Sequence, residues 1–110
     1  MTIIEHLKGF IGRMKAVPCF DYQADFALSM PDSQMAPLIE AGDYVLFRKA
    51  DTFEPEQIAL FSTESGFSIG HAWPQDDGTI ILQPENPEFR PLTTTPERLL
   101  GVPVALFRPF

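Results

Sequence analysis

The sequence predicts a mainly β domain, and three observations predict it. Short apolar runs built from Val, Ile, Phe and Leu recur along the chain, each too brief for a helix. Polar turn clusters separate them, among them Thr63-Glu64-Ser65-Gly66, Pro74-Gln75-Asp76-Asp77-Gly78 and Pro84-Glu85-Asn86-Pro87. Eleven prolines suit loops and strand ends rather than a helical bundle. Many short strands joined by tight turns imply a partly barrel-shaped β fold.

With 110 residues, the chain can bury one modest core. It reads as an N-terminal helix and linker over 1–19, followed by the β domain over 20–110. Hydrophobic residues make up 45% and charged residues 21%, a balance that folds rather than staying disordered. The formal charge is −7 and only eight residues are Lys or Arg, which argues against nucleic-acid binding by this chain. A single cysteine, Cys19, cannot form an internal disulfide or a cysteine-rich metal site, and reads as a small apolar side chain. No apolar run reaches membrane-spanning length and the first residues lack a signal-peptide layout. The expectation is a cytoplasmic protein with no membrane contact.

Taken in order, Thr2-Ile3-Ile4-Glu5 has the capping-box form. Ile3, Ile4, Leu7, Phe10, Ile11 and Met14 follow at helical spacing, predicting one amphipathic helix over 2–15 that stops before Pro18. Its apolar face serves either packing onto its own sheet or docking. Phe26, Leu28 and Met30 then alternate with Ala27 and Ser29, as a half-buried strand does. Pro31-Asp32-Ser33 breaks that strand, and Gly42-Asp43 turns into the next, Tyr44-Val45-Leu46-Phe47. After a polar loop from Ala50 to Gln57, Ile58–Phe61 and Phe67–Trp73 read as a hairpin. Asp77-Gly78 is a strong hairpin turn into Thr79–Leu82. The closing strand runs over 100–107, with Pro103 marking an edge or a bulge.

The order of these pieces resembles the carboxy-terminal domain of the LexA and phage CI repressors and their UmuD-type relatives. Ala24-Asp25-Phe26 leads to Met35, and Met35 leads to Gly42-Asp43. Further on come Pro84-Glu85-Asn86, the aromatic Phe89, a Pro91-Leu92 step and a final strand reached through Gly101. The likeness spans residues 24–108. It implies a LexA-like β fold whose chemistry is a Ser-Lys dyad, in which a desolvated neutral lysine removes the serine proton.

Both members of that dyad depart from the family pattern. The position before Met35, where the family keeps its serine, is Gln34. The matching run for the lysine puts Gly70 in its place, while counting back from Pro84 gives His71. No Lys or Arg occurs between Lys49 and Arg90, so neither alignment yields the base. A carboxamide can hydrogen-bond but cannot become an oxyanion nucleophile. The resemblance also places the self-cleavage loop upstream, yet no Ala-Gly or Cys-Gly pair precedes Phe26.

An improvised hydrolase from Ser33 and His71 is the remaining enzymatic reading. It is disfavoured because a one-residue offset in an extended segment points Ser33 to the opposite face. No metal-ligand spacing and no phosphate loop occur, so no metal and no cofactor are expected. What the resemblance implies is a degenerate peptidase domain acting in a phage-type transcriptional repressor. It would form a homodimer through the closing strand, at Val102, Val104, Leu106 and Phe107. DNA would be bound only through a separate helix-turn-helix domain. The alternative is a stand-alone peptide- or protein-binding module that keeps the substrate cleft and holds its partner as an added strand.

Overall fold

The computed structural model describes residues 15–16 and 24–109. Apart from Lys15, the helix expected over 2–15 lies outside the described residues, as do Cys19, Phe110 and the boundary near residue 20. Lys15 itself belongs to a strand.

Among the described residues, eight strands form one antiparallel sheet: β1 Lys15–Ala16, β2 Phe26–Ser29, β3 Tyr44–Lys49, β4 Ile58–Thr63, β5 Gly66–Pro74, β6 Ile80–Gln83, β7 Leu92–Thr94 and β8 Leu99–Arg108. Their order is β2-β3-β8-β4-β5-β6-β7, with β1 also paired to β8. The predicted β class is therefore what the chain adopts. A 3-10 turn at Pro96–Arg98 and strand β7 are additions that the proline-rich, threonine-rich stretch does not advertise.

Strand β8 sits in the interior of the sheet. One edge pairs with β3 from Tyr44↔Phe107 to Lys49↔Gly101. The other edge pairs with β4 at Leu60↔Gly101 and Phe61↔Leu99, and with β1 at Ala16↔Phe107 and Lys15↔Arg108. Pro103 lies beside a register shift opposite Leu46 and Phe47, the bulge its missing N–H calls for. Gly101 is needed where β3 and β8 meet, because a β-carbon there would stand 2.5 Å from the Arg48 carbonyl oxygen.

The sheet is covered on both faces. Alternation along β3 sends Val45 and Phe47 into one cluster and Leu46 into another. Along β4, Leu60 joins the first cluster while Ala59 and Phe61 join a third with Ala72, Ile80, Leu82 and Val102. Phe47, Phe61 and Phe107 are essentially inaccessible, and each contributes roughly 2 kcal/mol of burial. Double coverage also corrects the half-buried reading of β2: Ala27 is its most buried residue, and Phe26 and Leu28 are only partly covered.

The long connection between β2 and β3 is part of this core. Met30, Met35 and Ile39 hang from it into the first cluster. Its base is closed by backbone bonds from Met30 N–H to the Asp43 carbonyl and from Gly42 N–H to the Met30 carbonyl, both 2.8 Å. Within it, the Ala36–Pro37 peptide is cis.

Candidate functional site

Buried Met35 fixes where its neighbour Gln34 can go. The Gln34 N–H donates to Asp32 Oδ1 at 3.1 Å, and the Gln34 Nε2 group donates to the same oxygen at 3.0 Å. The other end of the carboxamide, Oε1, accepts from the Ser68 hydroxyl at 3.4 Å. A chain Ser68–Gln34–Asp32 thus links strand β5 to the loop. It is a hydrogen-bonded tether: its one carboxylate, Asp32, bonds Gln34, while the Ser68 hydroxyl donates to the carboxamide, which is no general base.

A second set of bonds holds the loop from outside. The Asn86 N–H donates to the Gln34 carbonyl at 3.0 Å, and Asn86 Nδ2 donates to the Ser33 carbonyl at 3.1 Å. Asn86 Oδ1 accepts from the Glu88 N–H at 3.0 Å, so its amide is used at both ends. The Glu85 N–H points at Met35 Sδ, 3.4 Å away. The Pro84-Glu85-Asn86 turn is therefore a clasp over residues 33–35. The sequence marks this turn as a motif but does not show what it holds; a polar Asn between two prolines is the available signal.

Gly70 lies two residues beyond Ser68 on β5, hence on the same side of the strand. It is buried, and the space beside it is taken. A β-carbon there would lie 2.8 Å from the Gln83 carbonyl oxygen and 3.1 Å from Leu82 Cγ. The glycine does admit a close backbone, but the backbone is the chain's own strand β6.

His71 is on the other side of β5 and is held at both ring nitrogens. Nδ1 faces the Glu56 carbonyl oxygen at 3.1 Å, and Nε2 meets Glu85 Oε2. Two acceptors on one imidazole favour the doubly protonated ring. Partial burial pulls its pKa down, but the Glu85 hydrogen bond, the Glu56 carbonyl and the charges of both glutamates outweigh this, and it ends above the ordinary 6.5. Ser33 is exposed, and among the described residues no hydrogen bond joins it to His71. The structure does not bring that pair together, and a ring with both nitrogens engaged has no free lone pair to act as a base.

The residues expected to form an interface lie on β8 and differ in burial. Val102 is 3% and Phe107 0% exposed, each inside a core of its own chain. Val104 and Leu106 are partly covered, packed against the second and first clusters. Along this strand β3 pairs on one side, and β4 and β1 pair on the other at its two ends. Among the described residues no group of His, Cys, Asp and Glu could hold a metal ion, and no helix is long and apolar enough to cross a membrane.

The Peptidase S24-like family profile matches residues 5–103. The LexA repressor of Geobacillus kaustophilus (strain HTA426) is 26% identical over 110 residues, covering the whole of this chain and 53% of that protein. The chain thus spans about half the length of this relative.

Proposed function

Because the chain belongs to the Peptidase S24-like family, we propose that it is a LexA-type regulatory domain that binds without cutting. One observation carries this reading. The residue in the nucleophile's place, Gln34, is a carboxamide tied at both ends to Asp32 and Ser68, and no Lys or Arg lies between Lys49 and Arg90 to serve as base. The work left to such a domain is to hold a second copy of itself, in the service of a repressor whose DNA-contacting part is a separate domain. With Val102 and Phe107 buried, the pairing is assigned to Val104 and Leu106 of the closing strand. The test is incubation of the protein, and of Ala-Gly-containing peptides with it, from neutral to alkaline pH, with mass spectrometry for cleavage and sedimentation for assembly. The expected outcome is no cleavage and a concentration-dependent dimer. Turnover that disappears in Ser33→Ala or Ser68→Ala would refute the non-cutting reading, and a strict monomer at high micromolar concentration would refute the pairing.

A second reading is favoured by a different observation. Strand β2 ends the sheet order, and beside it lies a groove of about 830 Å³ lined by Phe26, Leu28, Phe67, Leu99 and Leu100 among others. A strand that is last in the sheet among the described residues, next to an apolar groove, suits capture of an extended peptide, with main-chain bonds giving affinity and the groove taking alternate side chains. Pull-down that depends on Leu100 but not on Trp73, both exposed, would support it.

A further inference from the structure

We propose that His71 is a proton-operated latch: in its doubly protonated form it holds the Pro84-Glu85-Asn86 turn shut over the Gln34 loop, and loss of one proton releases that turn. The geometry is the argument. His71 sits on β5, and its two ring nitrogens reach two other segments, the loop before β4 through the Glu56 carbonyl and the turn after β6 through the Glu85 carboxylate. Only the imidazolium can donate to both. A neutral ring keeps one N–H, so it must turn a lone pair on one of two acceptors and give up that hydrogen bond.

The loop before β4 is built to keep its half. Glu56 is the one non-glycine residue with positive φ among those described, at 71°, an unfavourable backbone for a glutamate. Its N–H donates to the Ala72 carbonyl at 2.9 Å, and Ala72 N–H returns a bond to the Gln57 carbonyl at 3.0 Å. Those bonds hold the Glu56 carbonyl against His71, and the exposed Glu85 side chain is the acceptor free to swing away. In this proposal deprotonation therefore costs the hydrogen bond to Glu85, on the turn.

That turn is the clasp. Glu85 and Asn86 are adjacent, and they supply the N–H donors to Met35 Sδ and to the Gln34 carbonyl. The charged groups acting on the ring are Glu85, from the turn, and Glu56, from the loop. Both favour the imidazolium, so release is expected above the ordinary histidine value of 6.5. The latch rests on these contacts alone and on no reading of where a ligand is held.

The test is an NMR titration of the intact chain, following the His71 ring and the Gln34 and Asn86 amides, with hydrogen exchange of the Asn86 N–H expressed as a protection factor. We expect His71 to titrate above its ordinary value and the Asn86 and Gln34 signals to move with the same midpoint. Asn86 protection should fall about five-fold, the factor carried by one hydrogen bond. Glu85→Gln, which keeps an acceptor but removes the charge, should lower the His71 midpoint and carry the Asn86 change with it. His71→Gln should abolish the transition. Amides that stay still while His71 titrates, or an Asn86 transition that persists in His71→Gln, overturn the proposal. A hydrolytic activity would overturn the non-cutting reading and leave these readouts untouched, so the two failures are distinguishable.

Discussion

The Gln83 carbonyl occupies the space that a side chain on Gly70 would need, 2.8 Å from the position of its β-carbon. The neighbour is backbone inside a paired strand, so it cannot swing aside as a flexible side chain could. Gly70→Ala should destabilise the domain by about 1–3 kcal/mol, read as a lower urea midpoint with unchanged slope. The pair Gln34→Ser with Gly70→Lys should disrupt folding rather than install a dyad. A stable, cleaving double variant would show that β5 and β6 part more easily than their register implies.

Asn86 is expected to hold the loop rather than the fold. Asn86→Ala removes its bonds to the Ser33 carbonyl and the Glu88 N–H, a loss of about 1–2 kcal/mol if each counts as an ordinary hydrogen bond. Hydrogen exchange should quicken at residues 34–36 well before it does in β3 or β4. Uniform quickening across the sheet would contradict this placement.

Asp43 anchors the base of the same loop. Its carboxylate is 1% exposed and accepts from Arg108 Nε at 2.9 Å, Arg108 Nη2 at 2.8 Å and the Glu40 N–H at 2.7 Å. Asp43→Ala leaves the Glu40 donor and the guanidinium without their acceptor. It should cost about 2–3 kcal/mol, with Asp43→Asn losing less because one oxygen remains. Equal losses would mean that the charge, and not the N–H acceptor, carries the effect.

Stability should depend on pH with a sign set by His71. Its folded pKa is raised, so its contribution is complete below the ordinary value of 6.5 and is lost as pH rises through the folded value. Asp77 is the opposite case: bonds from the Thr79 hydroxyl and N–H lower its pKa from 3.8. Its contribution is present above that value and disappears as pH falls through the folded one. Urea midpoints measured across pH should fall on the alkaline side in wild type, and His71→Gln should flatten that limb alone.

Much of the sheet is legible in the sequence because strand alternation and turn chemistry act between near neighbours. The hairpin at Thr63–Gly66, the Asp77-Gly78 turn and the bulge beside Pro103 follow from residue types within a few positions of each other. Ala27 escapes that logic for a different reason: a strand covered on both faces no longer announces its inner side by alternation. Ser33 and His71 stay apart because facing in a loop is set by its anchor, here Met35 in the core, and not by the loop's own spacing.

Alone, the chain of residues determined that this is a β domain with the S24 order of motifs. Tertiary structure decided that β8 lies inside the sheet, that β6 fills the place beside Gly70, and that Glu56 and Glu85 converge on His71. Those outcomes depend on segments far apart in sequence meeting at hydrogen-bonding distance, and a local pattern carries no record of which distant backbone will arrive.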